Sequence, residues 1–224
     1  MKRTLTLLST FLLISFPLAQ TQIGADIQGE EDGFEIHPSS HERHNELEII
    51  HDSQKHPALG HVSIQNSGNR TTHLTYVPDD NFEQALIDLG YDDVLDDYVV
   101  TDSISGVTEL VVAEKEISDL TGIEDFIALT HLNCRTNALV GLDVSNNTLL
   151  TYLHAGSNQL PELDVSQNTE LTILWVGFNS LDSLDVNANT ALIDLRVPGN
   201  QLTSIDVSTN IALEPLDLWV NQLT

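Results

Sequence analysis

The sequence predicts a solenoid of about six stacked units. A parallel β-sheet should line its concave face, short extended or 3-10 segments its convex side, and a helix should cap its N-terminal end. Three observations predict this. The chain matches itself when shifted by 21 residues, without gaps: "LTHLNCRTNALVGLDVSNNTL" from Leu129, "LTYLHAGSNQLPELDVSQNTE" from Leu150, "LTILWVGFNSLDSLDVNANTA" from Leu171, "LIDLRVPGNQLTSIDVSTNIA" from Leu192, and a partial "LEPLDLWVNQLT" from Leu213. A fixed period of this length marks units that bury their apolar faces only against their neighbours. The second observation is what stays constant. Leucine holds positions 1, 4 and 11, and asparagine holds position 9 as Asn137, Asn158, Asn179, Asn200 and Asn221. An Asp-Val pair and a second asparagine (Asn147, Asn168, Asn189, Asn210) follow. The third is the alternation around position 4, which is the period of a strand. Leu132 and Cys134, Leu153 and Ala155, Leu174 and Val176, Leu195 and Val197, Leu216 and Leu218 should point inward.

The repeat L-x-x-L-x-x-x-x-N-x-L resembles the leucine-rich repeat, in particular the 21-residue L-x-x-L-D-V-S-x-N form of secreted bacterial surface proteins. The match covers Leu129 to Thr224. A looser unit, Val107 to Ala128, is similar to the 22-residue internalin-type repeat, with Lys115 at the asparagine position. Physical chemistry agrees with the resemblance. Strands of successive units would pair in parallel about 4.8 Å apart. An inward asparagine can satisfy backbone groups that each turn leaves unpaired. Each buried leucine contributes roughly 1.5–3 kcal/mol, which offsets the ordering entropy only in a continuous stack.

Ahead of the repeats, residues 1–19 read as a secretory signal. Lys2 and Arg3 precede an apolar run from Leu5 to Phe16, and cleavage is expected after Ala19. The run is too short to span a membrane. Residues 20–75 are polar, lack periodicity and are expected to be a disordered acidic leader. Seven histidines fall in it (His37, His41, His44, His51, His56, His61 and His73). Their spacing fits no closed tetrahedral zinc site, so composition explains them better than a metal buffer. Residues 76–106 should form the cap. Asp80 and Glu83 have capping-box spacing. Phe82, Ala85, Leu86 and Leu89 share one helical face, and Gly90 ends the helix. Similar repeat proteins carry such a segment before their array. Residues 107–224 are the repeats, the last one partial. That suggests an open apolar edge and a fragment of a longer product.

Other features bound the function. The formal charge is −26, growing by two when Lys2 and Arg3 leave with the signal. Such a surface repels phosphate backbones, so nucleic acid is excluded as a partner. Cys134 is the only cysteine, at an inward position, and reads as packing rather than nucleophile. Asp92, Asp93, Asp96, Asp97 and Asp102 offer hard oxygens for Ca²⁺. Their order is not that of an EF-hand, so a solvated loop is the simpler reading and no cofactor is assigned. The column Asp143, Asp164, Asp185 and Asp206 would repel by about 0.8 kcal/mol per neighbouring pair at water-like dielectric. Each Asp is expected to offset this by accepting N–H bonds within its own turn. No catalytic motif appears, and the chain is read as a non-enzyme.

The framework is constant, but the side chains between the inward positions vary. Positions 3, 5, 7 and 8 place His131, Arg135, Tyr152, His154, Trp175, Phe178, Arg196 and Trp219 on the concave face. Aromatic residues and arginine dominate binding hot spots, and the concave surface of a solenoid is its usual contact area. These eight residues are the expected ligand-binding strip. The resemblance implies a protein or glycan partner at a bacterial or host surface. The alternatives are a non-catalytic spacer, or part of a longer surface protein or enzyme whose functional domain lies beyond residue 224.

Overall fold

The computed structural model describes residues 71–224 in full and the backbone of two earlier strands, β1 (Glu48–Asp52) and β2 (His61–Gln65). The expected signal, residues 1–19, lies outside the described residues. So do His37, His41, His44 and His56, and the side chains of His51 and His61.

The repeats form one six-stranded parallel sheet from β5 (Glu109–Val111), β6 (His131–Asn133), β7 (Tyr152–His154), β8 (Ile173–Trp175), β9 (Asp194–Arg196) and β10 (Leu216–Asp217). The register follows the 21-residue period: Leu132 pairs with Leu153, Leu153 with Leu174, Leu174 with Leu195 and Leu195 with Leu216. The strands are short because position 9 must turn the chain. The leucines at positions 1, 4 and 11 of the three units from Leu129 to Ala191 have no exposed surface, nor do Cys134, Ala155, Val176 and Val197. Cys134 is thus a packing residue, and burial pushes its thiol up to about 12. The native protein should fail to react with a thiol reagent at pH 8 and should titrate one thiol per chain after unfolding in guanidinium. Reaction of the native chain at the unfolded rate would contradict the inward position.

Two asparagine columns tie unit to unit. In the first, Asn158 Nδ2 donates to the carbonyls of Ala155 in its own unit and Cys134 in the preceding one. Its Oδ1 accepts from Leu139 N. Asn137, Asn179, Asn200 and Asn221 make the equivalent bonds. In the second, Asn168 Nδ2 donates to the carbonyls of Val144 and Asn147, and Asn189 repeats this on Val165 and Asn168. These bonds answer the obligation to pair buried backbone carbonyls. The convex side is built from consecutive turns. One of them, Ile123–Asp125, closes into a 3-10 helix in the first unit. Asp143, Asp164, Asp185 and Asp206 each accept the N–H two residues on, as expected of turn residues.

The cap is richer than a single helix, and two sequence expectations change. Ordered chain does not begin at Tyr76. Strand β3 (Thr71–Tyr76) lies inside the segment read as leader. It pairs antiparallel with β2 on one side and with β4 (Tyr98–Val100) on the other, in a sheet of order β1-β2-β3-β4. Its β-branched and aromatic run, "TTHLTY", suits a pleated surface. It alternates for too few residues, beside too much polar sequence, to stand out. The other correction concerns helix α1 (Asp80–Asp88). Its N-cap is Asp79, whose Oδ1 accepts from Asn81 N and Phe82 N. Asp80 is the first helical residue, and Glu83 does not reach back to close a capping box. Glu83 Oε1 instead accepts from Asp96 N and Tyr98 N across the loop.

The helix ends at Gly90, φ 81°, with Gly90 N bonded to Ile87 O and Tyr91 N to Leu86 O. This left-handed closure favours glycine. Leu89 caps the helix and is 45% exposed, so the buried face is Phe82, Ala85 and Leu86. Phe82 lies against Phe126 of the first unit, centroids 6.4 Å apart. A short helix, α2 (Thr101–Ile104), follows β4 and buries Ile104. Lys115, at the asparagine position of the first unit, points outward and pairs with Asp88 of α1 at 3.0 Å. Its backbone N–H is received by Asn137 Oδ1 of the next unit.

Candidate functional site

Position 3 brings His131, Tyr152, Ile173 and Asp194 into one row across the sheet, and position 5 brings Asn133, His154, Trp175 and Arg196 into the next. Strand pleating sends both rows to the face opposite the leucine core. The rings make contact along and between the rows. His131 stacks on Tyr152 at 3.9 Å, with planes 3° apart. Tyr152 meets Trp175 edge-on at 5.5 Å, and His154 does so at 5.1 Å. The Arg196 guanidinium carbon sits 4.4 Å from the centre of the Trp175 ring, within cation–π range. Asp194 holds that guanidinium through two bonds, Nε to Oδ1 at 3.0 Å and Nη2 to Oδ2 at 2.9 Å.

Trp175 is therefore braced by three neighbours. Its indole N–H is buried and has no acceptor among the described residues. Burial, reinforced by Arg135 and Arg196, holds the His154 imidazole below its ordinary value. His154 is neutral at neutral pH. Burial also raises the Tyr152 phenol. Both shifts favour the uncharged ring at these two positions.

Phe178 and Trp219 form a second group, edge-on at 5.8 Å. They stand on the turns that follow the strands, and are 52% and 57% exposed. Position 8 has a left-handed backbone throughout: Thr136 at φ 56°, Ser157 at 58°, Phe178 at 57°, Gly199 at 65° and Val220 at 55°. Phenylalanine there costs on the order of 1–2 kcal/mol relative to a relaxed backbone. Gly199 makes room for the ring, because a Cβ on it would come within 2.6 Å of Phe178 Cδ1. Gly177 does the same for the Pro198 ring, at 2.8 Å. Between the two aromatic groups lies a hollow of about 320 Å³, lined among others by Trp175, Phe178, His154, Arg135, Arg196 and Pro198.

Of the eight expected residues, His131, Tyr152, His154, Trp175 and Arg196 stand on the strands, while Arg135, Phe178 and Trp219 stand on the turns that follow them. The expected basic character is largely spent within the chain. Arg196 is committed to Asp194, and Arg135 pairs with Glu114 at 2.6 Å. Sequence reading missed Asp194 and Glu114 as partners. The single Asp194-Leu195-Arg196 run, which puts Asp and Arg on one strand face, was a usable signal for the first. Glu114 lies in the irregular unit, where the period gives no alignment. No helix among the described residues is long and apolar enough to cross a membrane.

No protein-family model matches the chain, and no curated protein does. Solved structures do match. A leucine-rich-repeat protein of Leptospira interrogans is 22% identical over 54% of this chain and 33% of its own, with a TM-score of 0.52. The functional domain of InlJ from Listeria monocytogenes, described as including a cysteine ladder, is 29% identical over 67% of this chain and 44% of its own, with a TM-score of 0.42. An internalin of the same species, InlF, is 21% identical over 66% of this chain and 58% of its own, also with a TM-score of 0.42. The chain spans between 33% and 58% of the length of these three proteins. Its strand order, its 21-residue register and the Leptospira likeness make the fold that of the leucine-rich-repeat proteins.

Proposed function

We propose that this protein is an exported, non-catalytic recognition module that holds a macromolecule, protein or glycan, against the concave sheet at Trp175. The observation that carries this reading is Trp175 itself. It is a large ring held in place on a sheet face, with a buried N–H that lacks an acceptor beside an open hollow. An unpaired buried donor costs about 1–3 kcal/mol. A ligand oxygen arriving at the hollow would recover that cost. Phe178, half-exposed at the far wall and edge-on to Trp219, supports the same reading. The acidic body argues against nucleic acid as the partner.

A capture screen tests the proposal. The chain and its Tyr152→Ala/Trp175→Ala/Trp219→Ala variant are immobilised side by side and probed with surface proteins and with glycans. Binding by the parent that the variant loses, with unchanged circular dichroism, is the expected result and names the ligand class. Equal binding by both, or binding by neither, would overturn the concave site and favour a spacer role.

A further inference from the structure

Away from the concave face, the cap contains a second set of groups that its packing does not explain. Asp80 and Glu83 lie one helical turn apart on α1, and Asp97 enters from the loop before β4 at φ 67°. One carboxylate oxygen from each lies within 4.8 Å of the other two. Exposed acidic groups gather without purpose on many surfaces, but Glu83 is not one of them. It is 0% exposed. One of its oxygens is used on Asp96 N and Tyr98 N, while Oε2 is buried without any partner. The neighbouring charges that act on Glu83, Asp92 and Asp96, are both negative. Asp92 also keeps a buried oxygen without a partner.

The geometry points to a divalent cation site, suited to Ca²⁺, formed by Asp80, Glu83 and Asp97 where helix α1 meets the loop leading into β4. The ligand chemistry favours calcium. All three donors are carboxylate oxygens, which suit a hard cation, and none is the nitrogen or sulfur that zinc prefers. Two of the three donors are exposed, so water can complete the six to eight oxygens that Ca²⁺ takes. A bound cation that Oε2 reaches would satisfy that orphaned oxygen and offset the repulsion that Asp92 and Asp96 exert on Glu83. Burial and those neighbours otherwise raise the pKa of Glu83, and burial takes Asp92 up to about 6. The Asp92-to-Asp102 run that sequence suggests for calcium is thereby divided. Asp97 joins two helix residues, Asp92 and Asp96 act on Glu83 as like charges, and Asp93 and Asp102 are outside the group.

Terbium luminescence excited through tyrosine tests this on the full chain, because Tyr98 adjoins Asp97. The parent should show one saturable Tb³⁺ site that Ca²⁺ displaces, with a Ca²⁺ dissociation constant on the order of 10⁻⁴–10⁻³ M, as in extracellular modules. Asp80→Asn/Asp97→Asn alters only exposed groups and should weaken Ca²⁺ at least tenfold, with the melting temperature in chelator unchanged. Asp143→Asn/Asp164→Asn, which removes equal charge from the convex turns, should bind like the parent. Glu83→Gln keeps the oxygen that accepts from Asp96 and Tyr98, and should also lose the site. Failure of the parent to bind, or equal binding by the parent and the Asp80/Asp97 variant, would overturn the proposal. The second outcome would mean only a diffuse attraction to an acidic surface.

Discussion

Asp79→Ala is expected to lower the unfolding free energy by about 3 kcal/mol, the largest stability effect of any single polar side chain in the cap. One carboxylate serves two elements. Oδ1 caps α1, and Oδ2 accepts from Ser118 N, Ser118 Oγ and Asp119 N in the first repeat unit. Loss of an N-cap alone costs about 1 kcal/mol. The groups of Ser118 and Asp119 then lose their acceptor, at about 1–3 kcal/mol for those kept from water. Because each unit of a solenoid is supported only by its neighbours, the damage should begin at the N-terminal end.

The pH dependence has a definite sign. Burial works against the Asp79 charge, but the hydrogen bonds from Ser118, Phe82 and Asp119 outweigh it and leave the carboxyl below its ordinary value of 3.8. A depressed carboxyl stabilises the fold fully above the unfolded value, and that contribution disappears as pH falls through the folded one. Glu83, Asp92 and Asp96 are raised by burial and act in the opposite sense. The quantity to measure is therefore the difference between parent and Asp79→Ala in urea denaturation. It should be constant from pH 7 to about 5 and shrink below pH 4. A difference under 0.5 kcal/mol at pH 7, or one that grows on acidification, would show that Asp79 does not join the cap to the repeats.

On the concave face, Trp175→Ala should weaken capture of the partner at least 30-fold, about the 2 kcal/mol that defines a hot spot. Trp175→Phe separates the ring from its N–H. Keeping an apolar ring but no donor, it should lose about tenfold, corresponding to one hydrogen bond of about 1.4 kcal/mol. Neither change should alter the circular dichroism, because the ring lies outside the leucine core and contacts only Tyr152, His154 and Arg196 among the described aromatic and cation–π pairs. Surface plasmon resonance against the partner found by capture would measure both. If Trp175→Phe bound like the parent, the orphaned N–H would not be the group that meets the ligand. If Trp175→Ala did so too, the ring would serve only to cover the sheet.

The 21-residue period determined the sheet, its register, the inward leucines, both asparagine columns and the face on which Trp175 stands. Nearly every one of those contacts joins residue i to a residue about 21 positions away, as when Thr151 Oγ1 donates to Thr130 O and Thr172 Oγ1 to Thr151 O. Where contacts repeat with the sequence, alignment of the units is already a contact map. Tertiary structure alone decided what does not repeat. Asp79 and Asp80 look alike as caps, and Ser118, 39 positions on, chooses between them. Strand β3 becomes legible only beside β4 and through Thr75, whose hydroxyl donates to Asp125 across 50 positions. Glu83 has helix-cap spacing in the sequence, yet its carboxylate is turned into the loop at Asp96 to Tyr98. Arg135 appears basic until Glu114 of the preceding unit is brought against it. Each of these pairs forms once, at a separation that no period announces, so its energy is available only after the chain has folded.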